Sequence, residues 1–165
     1  MMSVHINVPR SLRGTHGGRC RGFTLLELLL ALVVTAALAT LAVSAFSSYM
    51  EQARVAKAEQ DLTWIESRIA LYETTNSELP SSLATIGEAT MLDPWGHPYQ
   101  YLDFTGLTSK SKMRKDRNLV PINSDYDLYS IGQDGTTLPP LIAPVSHDDV
   151  IRANNGGFVG LATDY

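Results

Sequence analysis

Apolar residues fill the chain almost without interruption from Phe23 to Phe46. This segment has 24 residues, and Glu27 is the only charged residue among them. About 20 residues of α-helix, at a rise of about 1.5 Å per residue, cross the hydrocarbon layer of a membrane. The apolar region of a secretory signal peptide is shorter, roughly 7–15 residues. The pattern therefore favours a membrane-spanning helix that contains one energetically unfavourable carboxylate.

A second pattern, a single apolar stripe at helical spacing, runs through residues 47–76. Its intervals of three and four residues place the side chains on one helix face. The members of the stripe are Val55, Ala58, Leu62, Ile65, Ile69 and Tyr72. No Gly or Pro interrupts the chain between Phe23 and Pro80, and Pro80 cannot continue a helix. The two patterns together predict one helix from about Phe23 to Asn76, roughly 80 Å long.

Beyond Pro80 the predicted elements are short. Residues 97–104 and 126–131 are rich in aromatic and β-branched side chains, which favours strands. Residues 119–123 are a weaker strand candidate, and residues 81–86 predict a short turn of helix.

The last part of the chain contains a loop and a helix signal. Residues 132–145 are rich in Gly, Thr and Pro, which is typical of irregular structure. Ser146 followed by Asp149 resembles a capping box, in which a side chain at each end of the first helical turn satisfies a backbone amide. This pattern predicts a short helix over residues 150–155, ended by Gly156.

Charge separates the first 22 residues from the rest of the chain. This leader contains four of the 13 basic residues and none of the 17 acidic ones, so the remaining chain has a formal charge of −8. The basic residues of the leader are Arg10, Arg13, Arg19 and Arg21. Arginines ahead of an apolar helix hold that end on the cytoplasmic side. An acidic chain beyond the helix argues against a nucleic-acid-binding surface.

Cys20 is the only cysteine, and it also lies in the leader. The chain beyond the leader therefore has no disulfide. Because small exported domains often need such a crosslink, we expect another stabilising element in the head.

The junction between leader and apolar segment carries a specific motif. Its sequence GFTLLE, residues 22–27, is similar to the cleavage and methylation signature of type IV pilin-like proteins. The resemblance implies that a prepilin peptidase cuts between Gly22 and Phe23 and methylates the new amine of Phe23. In that family the glutamate that corresponds to Glu27 attracts the N-terminal amine of a neighbouring subunit during filament assembly.

Two further segments resemble the major pseudopilins of type II secretion, which are pilin-like proteins. They are DPWGHPYQY at 93–101 and YDLYSIGQDG at 126–135. The resemblance implies an α+β fold, with a long N-terminal helix packed on a small antiparallel β-sheet head. The implied parts are a leader at 1–22, a transmembrane and filament-core helix at 23–46, its amphipathic half at 47–76 and a periplasmic head at 77–165.

The same resemblance implies a structural role. The subunit would wait in the inner membrane as a single-pass protein, then polymerise into a homo-oligomeric filament with minor pseudopilins on an inner-membrane assembly platform. Such a filament helps to push folded proteins through an outer-membrane secretin. The protein itself is expected to catalyse nothing.

Major pseudopilins also bind calcium in the loop after the last strand, which gives a candidate metal site here. By resemblance, Asp134 and Asp148 supply carboxylates and Ile131 supplies its carbonyl oxygen. Asp149 is a further ligand candidate or a helix cap. Calcium takes about 6–8 oxygen ligands, so further carbonyls or waters would complete the shell. This loop is longer than the family pattern and contains two consecutive prolines, and solvated turn aspartates remain an alternative.

A basic segment lies between the two predicted strands. Its members are Lys110, Lys112, Arg114, Lys115 and Arg117. One interpretation is a solvated loop. The other is a docking surface for carboxylates on the helix of an adjacent subunit. Candidates for these carboxylates are Glu59, Asp61, Glu66 and Glu73.

Two other functions fit parts of the pattern. A surface pilus or minor pilin, used for adhesion or DNA uptake, is disfavoured because many such pilins have a C-terminal cysteine pair. An uncut bitopic membrane protein with a calcium-binding head would keep its leader. An enzyme is disfavoured because no nucleophile can be placed beside the His147-Asp148 pair.

Overall fold

The structure is a computed structural model, and it describes residues 22–165. The predicted leader, with its arginines and Cys20, lies outside these residues except for Gly22. The first element is α1, Leu25–Asn76, a single helix of 52 residues. The predicted long helix is thus confirmed. At its start the Glu27 backbone amide donates to Thr24 Oγ1 at 3.1 Å, so Thr24 caps the helix.

The chain divides into two compact units, Met1–Ala42 and Val43–Tyr165. Every described residue of the first unit is exposed. Within residues 22–165, α1 is the one helix that is long and apolar enough to cross a membrane, with an 18-residue window of mean hydropathy 2.4.

The second unit contains a four-stranded antiparallel sheet in the order β1-β2-β3-β4. Its strands are β1, Gln100–Asp103; β2, Tyr126–Ser130; β3, Val150–Ala153; and β4, Phe158–Leu161. Each strand pairs with the next strand along the chain. The two strands predicted from aromatic and β-branched enrichment are therefore confirmed as β1 and β2.

Alternate residues of the strands face two separate cores. The α1 stripe packs on one face of the sheet, where Leu62, Ile65 and Ile69 are fully buried with Leu128 and Val150. The opposite face is covered by the irregular segments. The buried members of this second core are Ile122, Leu141, Ile151, Ala153 and Ala162. The predicted α+β class, a long helix packed on a small antiparallel sheet, is confirmed.

One predicted helix and one weak strand are wrong. Residues 150–153 form β3 because Val150 and Ile151 bury their β-branched side chains on opposite faces of the sheet. Ser146 does not cap a helix, since its hydroxyl bonds the Leu138 backbone amide and carbonyl at 3.0 and 2.9 Å. Residues 119–123 form no strand in the described chain. The segment starts at a turn that two backbone hydrogen bonds between Asp116 and Leu119 close.

The short helical turn after α1 is confirmed in position, although it has 3₁₀ geometry. It spans Leu83–Ile86 and ends at Gly87, whose φ is 83°. Leu83 and Ile86 are buried, which anchors the turn to the core beside α1.

Candidate functional site

The predicted processing site lies at the start of α1. Gly22, Phe23, Thr24 and Glu27 line one hollow, and the Phe23 side chain is 76% exposed. The Gly22–Phe23 peptide bond precedes the helix, and both residues are exposed. A new amine on Phe23 would lie one helical turn from Glu27. A carboxylate in the first turn is also favoured by the positive end of the helix dipole.

The predicted metal loop is drawn together by two aspartates. The Asp134 backbone amide donates to Asp148 Oδ2 at 2.8 Å, and Asp134 Oδ1 accepts from the Thr136 amide at 2.7 Å. Gly132 lies against Asp148 with a φ of 65°, and a Cβ there would collide with the Asp148 backbone. Ile131 is partly buried directly after β2. The loop thus brings the two predicted carboxylates to neighbouring positions.

Asp149 has a different environment, because it faces the interior. Its side chain is fully buried, and Oδ2 accepts from Arg114 Nη2 at 2.5 Å and from Thr137 Oγ1 at 2.6 Å. Its Oδ1 has no hydrogen-bond partner among the described residues. Burial raises the pKa of Asp149 to about 6, and the bonds to Thr137 and Arg114 only partly oppose this rise. Asp149 is therefore not the predicted cap of a helix, since a strand follows it, and one of its oxygens is used by Arg114 and Thr137.

Arg114 does not belong to the exposed basic surface that the sequence suggested. It is 1% exposed and lies over the Tyr129 ring at 4.5 Å. Its Nη1 donates to Thr137 Oγ1 at 2.5 Å and to the Leu138 carbonyl at 2.8 Å. Arg114 therefore ties both ends of the loop between Asp134 and Asp149 to the head.

The DPWGHPYQY motif at residues 93–101 has a structural role. Asp93 is buried, and its Oδ1 accepts from the backbone amides of Trp95 and His97 at 3.1 and 2.8 Å. Its Oδ2 accepts from Ser130 Oγ at 2.5 Å, which ties this turn to the end of β2. His97 Nδ1 then bonds the Gly132 carbonyl at 3.0 Å. The motif positions the start of the metal loop.

Arg152 is a buried charge that the sequence patterns missed. It is 4% exposed, pairs with Glu66 of α1 at 2.7 Å and with Asp125 at 2.8 Å, and lies over the Tyr126 ring at 4.0 Å. Burial raises the pKa of Asp125, but the bonds from Arg152 and from the Tyr126 backbone amide together outweigh it and leave this pKa below its ordinary value. The sequence signal that could have identified Arg152 is an arginine at an inward-facing position of an otherwise apolar strand.

These contacts limit the donor set for calcium. No group of three or more His, Cys, Asp or Glu side chains converges anywhere in residues 22–165. Asp134 and Asp148 fit two positions of a site, because one oxygen of each makes no hydrogen bond within the described chain. Most of the ligands would have to be carbonyls or waters. Calcium therefore stays a prediction, supported by the approach of these two carboxylates.

Comparison with known proteins agrees with the processing motif and the head. Residues 17–43 match the family model described as a prokaryotic N-terminal methylation motif. The type II secretion system core protein G of Klebsiella pneumoniae is 31% identical over 139 residues, which cover 80% of this chain and 93% of that protein. The Pseudomonas aeruginosa protein of the same name is 29% identical over 135 residues, covering 69% and 84%.

A protein of a different name is also similar to this chain, at a lower identity. A fimbrial protein of Neisseria meningitidis is 25% identical over 136 residues, which cover 82% of this chain and 80% of that protein. No solved structure matches the chain. Because the chain is 31% identical to a core protein G over 93% of that protein, it belongs to the pilin-like family of type II secretion system core protein G, the major pseudopilins.

Proposed function

We propose that this chain is the repeating structural subunit of a type II secretion pseudopilus. The observation that carries the proposal is the similarity to core protein G over nearly the full length of that protein, together with the methylation motif at 17–43. The subunit polymerises from the inner membrane and helps to push folded proteins through the outer-membrane secretin. It performs no catalytic step of its own.

The apolar half of α1 then has two successive environments. Before assembly it is solvated by lipid, with the head in the periplasm. Afterwards it packs against the same helices of other subunits. Its side chains suit both environments because they are apolar all round, as Leu29, Leu30 and Val33 illustrate with exposures of 59–64%.

Glu27 gives the assembled state its register. We propose that a prepilin peptidase cuts between Gly22 and Phe23 and methylates Phe23, and that Glu27 attracts the new amine of a neighbouring subunit. A carboxylate within a membrane helix is unfavourable by a few kcal/mol unless it has a partner. An amine from the next subunit would supply this partner, which favours assembly over the free membrane state.

The experiment compares the full chain with Glu27→Gln in cells that contain the secretion assembly machinery. We expect the wild type to start at a methylated Phe23 by mass spectrometry and to be recovered in sheared filaments. Glu27→Gln should be cut and retained in the membrane, yet assemble poorly. Normal filaments from Glu27→Gln would reject the role of Glu27, and an intact leader would reject the pilin-like route.

We also propose that calcium binds at Asp134 and Asp148, where it would crosslink the two ends of the loop electrostatically. Ligand binding to the folded state alone raises the melting temperature. Calcium should therefore raise the melting temperature of the wild type and not that of Asp134→Ala. An unchanged wild-type melting temperature would reject the calcium site while leaving the structural role intact.

A surface pilus subunit is the second candidate, favoured by the similarity to the Neisseria fimbrial protein. The two functions differ in the machinery that each requires. Restoration of protein secretion in a strain that lacks its own major pseudopilin would support the first. Restoration of surface pili alone would support the second.

A further inference from the structure

The side chain of His97 reaches from the DPWGHPYQY turn to the metal loop, which comprises residues 131–149. The backbone of His97 is fixed by Asp93 through two hydrogen bonds. The His97 amide donates to Asp93 Oδ1 at 2.8 Å, and the His97 carbonyl accepts from the Asp93 amide at 2.8 Å. The Asp93 side chain is fully buried. The point from which the imidazole extends is therefore anchored in the head.

The imidazole lies against two glycines of the metal loop. His97 Nδ1 is 3.0 Å from the Gly132 carbonyl oxygen. Because a carbonyl oxygen only accepts, Nδ1 is the donor and carries the proton. The ring also faces Gly135, where an added Cβ would lie 2.8 Å from Nε2. Gly132 and Gly135 have φ values of 65° and 68°, which glycine adopts without strain. The ring thus spans the turn from Gly132 to Gly135.

The Gly132 backbone is held from a second side by Ser130. The Gly132 amide donates to Ser130 Oγ at 3.1 Å, and Ser130 Oγ donates to Asp93 Oδ2 at 2.5 Å. The Ile131 carbonyl shares a trans peptide plane with the Gly132 amide and points the opposite way. The bond to Ser130 therefore orients the Ile131 carbonyl. The bond from His97 orients the next carbonyl along the chain, that of Gly132.

Two of the proposed calcium ligands are next to the glycines that His97 contacts. Ile131 directly precedes Gly132, and Asp134 directly precedes Gly135. A turn with two glycines among four residues has many accessible conformations, so ordering it is entropically unfavourable. A side chain that fixes the turn before the ion arrives removes part of this entropic cost from the binding step.

We propose that His97 is a positioning residue for calcium, which keeps the Gly132–Gly135 turn in the conformation that binds the ion. His97 acts through the Gly132 carbonyl and through its contact with Gly135, and not as a ligand. This role rests on the proposed calcium binding and names a residue that sets its affinity. Without the imidazole the turn samples several conformations, and the apparent affinity falls in proportion to the fraction that remains competent to bind.

The test measures calcium binding to the full chain in detergent by isothermal titration calorimetry. His97→Phe keeps a ring at this position but removes the donor, and it should weaken calcium binding about tenfold, since about a tenth of the chains keep a competent turn. His97→Asn keeps a side-chain donor near the position of Nδ1 and should bind within about threefold of the wild type. Gln100→Leu is the matched control and should bind as the wild type does. The Gln100 side chain donates to the Pro98 carbonyl within the same segment, at 2.8 Å.

The wild type separates this role from the calcium proposal itself. A wild type that binds no calcium would overturn both. Normal binding by the wild type and by His97→Phe would overturn the role of His97 alone. A lower melting temperature of His97→Phe in chelator, without a change in its calcium affinity, would also overturn that role, because His97 would then stabilise only the fold. The role of the chain as a filament subunit is independent of each result.

A measurement on the wild type tests the hydrogen bond even if His97→Phe does not fold. The nitrogen chemical shifts of an imidazole report which ring nitrogen carries the proton, and we expect a proton on His97 Nδ1. A ring protonated on Nε2 alone could not donate to the Gly132 carbonyl, and it would overturn the positioning role.

Discussion

Two arginines are buried in the described part of the head, and they are held very differently. The guanidinium of Arg152 bonds the carboxylates of Glu66 and Asp125, while that of Arg114 bonds only the carboxylate of Asp149. Each also lies over a tyrosine ring, at 4.0 Å for Arg152 and 4.5 Å for Arg114. They therefore share burial and aromatic contact but differ in the number of neutralising charges.

Within the described residues, buried polar atoms without a hydrogen-bond partner occur at the Arg114 site and not at Arg152. Arg114 Nε and Asp149 Oδ1 are buried without a hydrogen-bond partner in the described chain. Every nitrogen of the Arg152 guanidinium donates to an oxygen. The carboxylates respond in opposite directions, because burial raises the pKa of Asp149 while the Arg152 bonds lower that of Asp125.

The partners also differ in access to solvent. The side chains of Glu66 and Asp125 are 24% and 32% exposed, whereas that of Asp149 is fully buried. A carboxylate that loses its arginine can recover hydration only where water reaches it. The incompletely satisfied arginine should therefore be the more costly one to remove.

Arg114→Met is expected to have the largest effect, a loss of about 4 kcal/mol in the free energy of unfolding. It leaves Asp149 buried without a counter-charge, and protonation of that carboxyl limits the cost. Urea unfolding of the full chain in detergent, followed by the fluorescence of Trp64 and Trp95, measures it. The double variant with Asp149→Leu should recover part of the loss, because Asp149 then no longer leaves an unpaired buried charge. Equal losses in the single and double variants would contradict this explanation.

Arg152→Met should cost less, about 3 kcal/mol, although it breaks two ion pairs. Glu66 and Asp125 turn toward water once the guanidinium is gone, while the ring contact with Tyr126 is lost. Because Glu66 belongs to α1, the helix-to-sheet contact should loosen, which hydrogen exchange at β3 amides reports. A loss larger than that of Arg114→Met would show that the number of ion pairs matters more than the solvent exposure of their carboxylates.

Sequence patterns predicted the elements that depend on local spacing. The α1 stripe and the aromatic strands were evident because each buries a periodic set of side chains. Residues 150–153 were mistaken for a helix because a four-residue buried strand has too few positions to show a period. Its strand character comes from pairing with Tyr129 and Val159, which are distant in sequence.

The candidate site was predictable to a similar extent. Gly22, Phe23 and Glu27 form a contiguous motif, so their proximity needs only the start of one helix. The position of Asp149 depends on Arg114, which comes 35 residues earlier and looked like one member of a basic loop. Which charge of such a group turns inward is decided by tertiary packing, and no local spacing indicates it.

The two carboxylates, Asp149 and Asp125, should also give stability different dependences on pH. Asp149 binds a proton near pH 6 when folded and near the ordinary value of about 3.9 when unfolded. Between these values Asp149 is more protonated in the folded state than in the unfolded state. The contribution of Asp149 to stability therefore increases as pH falls from 7 to 5 and is lost as pH rises through 6. Asp149→Asn should flatten this slope in chelator-containing buffer. Asp125→Asn should keep it, since the lowered pKa of Asp125 acts only below about pH 4.

The smallest effect is expected at a pair on α1 whose carboxylate is buried but keeps a second hydrogen bond, which isolates the role of that bond. Lys57 pairs with Asp61, and the Lys57 side chain is 58% exposed while that of Asp61 is 8% exposed. Asp61 keeps a hydrogen bond from the Tyr99 hydroxyl at 3.0 Å when Lys57 is removed, so its carboxylate is never left alone. Lys57→Met should therefore lower the free energy of unfolding by about 0.5 kcal/mol, measured by the same urea unfolding. A loss close to that of Arg114→Met would mean that the burial of the carboxylate left behind sets the cost of breaking a pair, whether or not that carboxylate keeps another hydrogen bond.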